Sequence, residues 1–414
     1  MRKVDLLIKN AKELLTIASA HPKTGKEMQE LGIIEKGAVA VDSGKIIDVG
    51  VTDDLIELYD PDKTIDASGK VVMPGFVDPH THPVFVNTRE NELEQRLQGK
   101  SYKEISQTGG GIRSSINDVR KATKEELFEL SQKRISKMLA QGTTTIEAKS
   151  GYGLSLESEI KMLEVIKELN EKTPMNVIST FLGAHEYPEE YKDNHEKYIE
   201  ILVNKMLPKV AEKHLADYCD IFCEEHVFDI EESRLILRHA KKLGFKIRMH
   251  ADELEPIGGA ELAAELGAVS ADHLVAASDK GIKQMKKNNV IPILLPGTTF
   301  SLGLEKYAPA RKMIEAGLPV ALATDFNPGS CNCDSMQTVI SLACLQMNML
   351  PAEAIVASTL NAAYSLEIDD RVGSIEAGKE ADLLIMDMPS YQYLPYHLGS
   401  SCVDKGIKKG KFLD

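Results

Sequence analysis

The middle of the chain alternates two textures. A short apolar, β-branched run gives way to a polar or glycine-containing turn, and the turn to an amphipathic stretch of about ten to twenty residues. Eight such runs can be counted: VVMPGFVDPHTH ending at His82, TTTIEAK at Lys149, NVISTFLGAH at His185, DIFCEE at Glu225, FKIRMH at His250, VSADH at His273, VIPILLP at Pro296 and PVALATD at Asp325. Strands alternating with helices pair in parallel, and eight of them close into a (β/α)8 barrel of the TIM type. The helical stretches carry the matching period. Leu156 to Lys172 sets Ile160, Leu163, Ile166 and Leu169 at helical spacing, and Asp229 is placed to cap the helix carrying Leu235 and Leu237. An open doubly wound sheet fits the alternation as well. The barrel is preferred because six of the eight runs end in His, Asp or Glu, residues able to ligate metal or carry a proton, and such barrels keep their chemistry at C-terminal strand ends.

Both ends of the chain read differently. Gly37 to Gly50, GAVAVDSGKIIDVG, places two β-branched runs around Asp-Ser-Gly, a hairpin signal, and Gly373 to Asp387, GSIEAGKEADLLIMD, reads as short strands broken by glycine. The expectation is an α/β chain with a small β-sandwich-like domain built from both termini: residues 1–68 and 359–414 in the small domain, 69–358 in the barrel.

Charge and composition narrow the partners. Lys+Arg 49 against Asp+Glu 63 gives −14, which argues against a nucleic-acid surface, and with no Trp and only 5% aromatics a base-stacking platform is unexpected. The first segment has Lys and Asp inside its apolar stretch, and no window approaches about 18 apolar residues, so no membrane partner and a cytoplasmic location are expected. Six Cys are too dilute for a disulfide scaffold, and Cys331 and Cys333 lack the second pair of a zinc knuckle. Gly109-Gly110-Gly111 lies in a long connection, either a flexible connector or a lid.

Residues i and i+2 of a strand point the same way, so His80 and His82 can grip one ion from one strand end. Alone, such a pair is commonly two surface histidines. Here His250, His273 and Asp325 end other runs of the same barrel, and imidazole nitrogen with carboxylate oxygen suits one divalent ion, zinc or iron, with a position left open for water. Glu253, three residues beyond His250, is the candidate general base; a solvated loop carboxylate is the plain alternative. His273 reads as a proton relay or carbonyl polariser, or as a fourth histidine ligand. Arg89, Tyr152 and His185 follow the first three strands: Arg89 suits a carboxylate or a surface pair with Glu90 or Glu92, and Tyr152 and His185 suit a polar heterocycle. A chain this acidic needs such a local cation to hold an anionic substrate. His21, His195, His214, His226, His239 and His397 are read as structural.

Taken together, PGFVDPHTH, HADE, the strand-end His273, ATDFNPGS and the framing GSIEAGKEADLLI resemble the metal-dependent amidohydrolase superfamily over nearly the whole chain. The stretches FVNTRENE, TGGGI, IEAKSGYGL, LGAHEYP and DFNPGS are similar to the branch that opens 4-imidazolone-5-propanoate to N-formimidoyl-L-glutamate in histidine degradation. That resemblance implies His80, His82, His250 and Asp325 as ligands, with a single ion because strand four ends Cys223-Glu224-Glu225 without a lysine. It further implies Glu253, His273 and Asp325 as catalytic groups, with Arg89, Tyr152, His185, Glu253, Asn327, Gly329 and Ser330 around a small-molecule substrate. A homodimer is left open. A deaminase of a purine- or pyrimidine-like ring is the alternative chemistry, and a non-catalytic scaffold the alternative class.

Overall fold

The computed structural model describes residues 1–100 and 110–413, so Gly109 of the glycine run lies outside the described residues. Among them the strands form two sheets. One gathers β1 (Arg2–Leu15), β2 (Ile33–Asp42), β3 (Lys45–Val51), β4 (Tyr59–Asp66) and β5 (Val71–Pro74) with three strands from the other end of the chain. Its hairpin is the one the sequence announces: β2 and β3 are antiparallel across Ser43-Gly44, both at positive φ (50° and 77°), the primed-turn conformation that matches strand twist.

The second sheet runs β6 (Phe76–Thr81), β7 (Thr143–Lys149), β8 (Asn176–Ala184), β9 (Tyr218–Cys223), the short pieces β10 (Lys246–Ile247) and β11 (His250–Ala251), β12 (Ser270–His273), β13 (Ile291–Leu294) and β14 (Ala321–Leu322). All its pairings are parallel, in the order β14-β13-β12-β11-β9-β8-β7-β6, with β10 beside β9. A parallel bridge Thr81↔Phe326 joins first to last, helped by His82 N–H to Phe326 O at 2.8 Å and Asp325 N–H to His80 O at 3.1 Å. The eight runs therefore form a (β/α)8 barrel.

From the far end β15 (Leu383–Met386), β16 (Val403–Lys408) and β17 (Lys411–Phe412) complete the terminal sheet, β15 pairing with β5. Two details depart from the pattern reading. The first apolar run is split at Gly75, its VVMP half lying in the terminal sheet and its FVDPHT half in the barrel. Of GSIEAGKEADLLIMD only Leu383–Met386 is a strand; the preceding part is loop, held by an isolated Lys45↔Glu380 bridge.

The helix Leu156–Lys172 has the predicted bounds. Ser155 caps it by accepting Ser158 N–H, and Met162, Leu163, Ile166 and Leu169 are buried. Asp229 accepts the N–H groups of Glu231 and Glu232 at the start of Ile230–Lys242, where Leu237 is buried and Leu235 faces solvent. Such helices cover the barrel with apolar faces and free its C-terminal rim for polar residues. No helix among the described residues is long and apolar enough to cross a membrane.

Candidate metal centre and substrate cavity

His80 and His82 flank Thr81 at the end of β6; both imidazoles point inward and are buried. Their Nε2 atoms are 3.3 Å apart, and Asp325 Oδ1 lies 3.5 Å from each. The His250 ring centre is 4.4 Å from that of His80. Donor atoms of His80, His82 and His250 lie within 4.8 Å of one another, as do those of His80, His273 and Asp325.

Ligands held at about 2.0–2.1 Å in a tetrahedron stand roughly 3.3–3.4 Å apart, so the His80, His82 and Asp325 spacing is that of donors sharing one cation. The unpaired nitrogens agree. His80 Nδ1 is hydrogen-bonded to Asp272 Oδ2 at 2.6 Å, leaving its Nε2 as the donor, and His250 Nδ1 stands 3.0 Å from Asp220 Oδ2, while His82 Nδ1, His250 Nδ1 and His273 Nε2 are all buried without a hydrogen-bond partner. Burial holds His80, His82 and His273 well below the usual imidazole range, which keeps them neutral and able to ligate. At His250 burial is outweighed by the Asp220 carboxylate, which raises it. Three imidazoles and a carboxylate at this spacing fit a divalent cation.

The turns around this centre are strained. Asp252, His273 and Asp325 have φ of 49°, 72° and 54°, a left-handed conformation costing a non-glycine residue about 1–3 kcal/mol. At β12 the strain lets consecutive residues serve one site: Asp272 meets His80 from inside the barrel, while His273 turns so that its Nε2 lies 3.6 Å from Glu253 Oε2. Glu253 is held from both sides. Buried Glu224 accepts Leu254 N–H at 2.9 Å, and Asp252 accepts Gly259 N–H at 2.8 Å. Burial and then the Asp325 charge push Glu253 up to about 8, and burial lifts Asp325 to about 6. Thr298 Oγ1 donates to Asp325 Oδ2 at 2.6 Å.

Above the donors opens a cavity of about 350 Å³, whose wall includes His82, Arg89, Tyr152, His185, His250, Glu253, His273, Asp325, Asn327 and Ser330. His185 stacks on His82 at 5.2 Å between ring centres and is fixed by its Nδ1 3.0 Å from Gly151 O; Tyr152 is 5.3 Å from His185. Arg89 is 3.6 Å from Glu92, but its buried Nε and Nη1 have no hydrogen-bond partner. Asn327 Oδ1 accepts the N–H groups of Gly329 and Ser330, both at 2.8 Å, folding that loop under Arg89. A Cβ on Gly329 would come 1.4 Å from Arg89 Nη2, so a side chain at this position would displace the guanidinium.

Of the residues lining this cavity, the strand pattern points to His82, Arg89, Tyr152, His185, His250, Glu253, His273 and Asp325, and the resemblance alone adds Asn327 and Ser330. Neither points to Arg96, Glu186 or Phe222, to His226, which lines the cavity although read as structural, or to Glu224, Thr298, Asp220, Asp272 and Lys149 around it. The signal for the last three was present: charged residues inside otherwise apolar strands.

Residues 71–413 match the model of the Amidohydrolase family. The chain belongs to that family. This amidohydrolase is 51% identical over 413 residues to the imidazolonepropionase of Alkaliphilus oremlandii (strain OhILAs), covering 99% of this chain and 98% of the relative. It is 47% identical to the imidazolonepropionase of Geobacillus kaustophilus (strain HTA426), covering 98% and 97%. In fold it is similar to an adenosine deaminase from Xanthomonas campestris with bound zinc (TM-score 0.71, 20% identity, 99% and 93% covered) and to E. coli guanine deaminase (TM-score 0.72, 16% identity, 99% and 98% covered). It is an enzyme that hydrolyses carbon–nitrogen bonds, and about half of its residues are identical to those of the imidazolonepropionases, against 16–20% for the two deaminases, whose likeness is one of fold.

Proposed function

We propose that this amidohydrolase opens 4-imidazolone-5-propanoate to N-formimidoyl-L-glutamate. The observation that carries the reading is one cavity in which a cluster of cation donors faces a buried, incompletely paired Arg89 guanidinium. A heterocycle with an anionic tail fits both. Arg89 takes the propionate in a two-pronged contact, and Tyr152 and His185 flank the ring, with Asn327, Gly329 and Ser330 forming the wall behind Arg89.

His80, His82, His250 and Asp325 hold the cation, zinc or ferrous iron by donor chemistry, and when bound it supplies Lewis acidity to water and to a carbonyl oxygen. Glu253 accepts the proton of the attacking water as the oxygen adds to the ring carbonyl carbon. His273, beside Glu253, hydrogen-bonds the carbonyl oxygen as it gains negative charge. The ring C–N bond then breaks and the freed nitrogen takes the proton from Glu253, directly or through Asp325; the carbonyl carbon becomes a carboxylate as the second water proton moves to the formimidoyl group. One water is consumed and nothing is expelled.

This reading places a small-molecule enzyme in the cytoplasm with neither nucleic-acid nor membrane partner, and a homodimer is to be tested by light scattering. The deciding assay follows imidazolone propionate consumption before and after chelation, beside ammonia release from cytosine and guanine. Chelator-sensitive imidazolone consumption without ammonia is expected; ammonia release from either base with no imidazolone turnover would reject the proposal.

A further inference from the structure

Below the histidines the barrel interior holds charge where barrels of this type usually stack aliphatic side chains. Lys149 and Arg248, two cations, face Glu147, Asp220 and Asp272, three carboxylates, and all five are fully buried. Lys149 Nζ lies 2.7 Å from Glu147 Oε1, 2.8 Å from Asp220 Oδ2 and 3.9 Å from Asp272 Oδ2. These two aspartate oxygens are the same atoms that meet the metal-facing imidazoles, Asp220 Oδ2 at His250 Nδ1 and Asp272 Oδ2 at His80 Nδ1. The other Asp272 oxygen accepts Ser270 Oγ at 2.7 Å, so the carboxylate cannot swing. Arg248 Nη2 stands 4.0 Å from Asp272 and donates to Pro79 O at 2.9 Å, beside His80 in sequence.

A lysine taken wholly out of water loses several kcal/mol of hydration, which only well-placed counter-charges offset. Here the ammonium sits 2.8 Å from Asp220, the carboxylate beside His250 Nδ1, and 3.9 Å from Asp272, and a carboxylate beside Nδ1 sets both the tautomer and the direction of the Nε2 lone pair. We infer that Lys149 is a positioning residue of the metal centre, anchoring Asp220 so that His250 presents Nε2 to the cation that His80 shares. The inference rests on the reading of His80, His82, His250 and Asp325 as ligands.

The test measures Zn²⁺ affinity of the full-length chain, stripped of metal, by competition with a chromophoric chelator, alongside the melting midpoint of the stripped protein. Lys149→Met and Asp220→Asn are each expected to weaken Zn²⁺ binding by about 10–100-fold, the usual range for groups behind a ligand. Because Lys149 acts through Asp220, the charge-balanced double variant is expected to bind Zn²⁺ within a few-fold of Asp220→Asn alone. A folded Lys149→Met variant with affinity within twofold of the native chain overturns the inference. If Lys149→Met does not fold, the double variant decides: affinity near that of Asp220→Asn supports it, and a further loss of tenfold or more overturns it. A native chain that takes up no Zn²⁺ overturns the ligand reading itself, and the positioning role with it.

Discussion

Lys149 and Lys408 are both buried lysines held by carboxylates, one beneath the barrel mouth and one in the terminal sheet. Lys408 pairs with Asp382 and lies 3.8 Å from Glu380. The remaining contacts of those carboxylates are scaffolding: Asp382 accepts Lys409 N–H at 3.0 Å, and Glu380 accepts Arg371 at 2.8 Å and Asn176 at 3.2 Å. Asn176 opens β8, so this cluster ties the sheet to the N-terminal end of the barrel, the end given to stability. Around Lys149 the carboxylates turn instead to imidazoles. Burial and pairing are alike in the two regions; what the carboxylates do with their other contacts separates a staple from a site.

The sharpest break in that comparison comes from Glu253. Glu253→Gln keeps the shape of the mouth but removes the proton acceptor, and turnover of imidazolone propionate is expected to fall about 10²–10⁴-fold while metal content by mass spectrometry stays at the native level. Native turnover in that variant would remove Glu253 as the base. Lys408→Met tests the other region. Leaving Asp382 buried without its partner is expected to cost about 3–5 kcal/mol in urea unfolding, with Zn²⁺ affinity unchanged; a loss of affinity would dissolve the distinction between the two lysines.

Gly329→Ala places a methyl group against Arg89 and is expected to lower kcat/KM by about 10-fold or more, chiefly through KM, as a charged hydrogen bond is worth roughly 1.5–3 kcal/mol. An unchanged KM would take Arg89 away from the substrate carboxylate. The smallest effect is expected from Thr298→Val, which deletes one hydroxyl donor to Asp325 and leaves its isostere. About 1 kcal/mol, or a few-fold in kcat/KM, follows for a single hydrogen bond, and no measurable change would free Asp325 from Thr298.

How much of this was legible follows from where each contact lies along the chain. His80 and His82 share a strand end, and His250, His273 and Asp325 each close an apolar run, so strand periodicity alone brings them to one rim. The Ser43-Gly44 turn is local in the same sense. Lys149 with Asp220, and Asp272 with His80, join residues on different strands far apart in sequence, and no period links them. The split of the first run at Gly75 was hidden because β5 and β6 are both apolar, and only their partners, β15 on one side and β7 on the other, tell them apart. Gly329 was legible only through resemblance; its reason is a guanidinium packed against its Cα, which sequence does not display.

The central claim is that one divalent cation at His80, His82, His250 and Asp325 activates water for ring opening. The most direct measurement returns Zn²⁺ or Fe²⁺ stepwise to the chelated, inactive chain while following imidazolone propionate. Turnover rising linearly and breaking at one equivalent per chain, with no recovery in Asp325→Ala, is the predicted result. Full turnover in metal-free protein, or equal recovery in Asp325→Ala, would contradict the account.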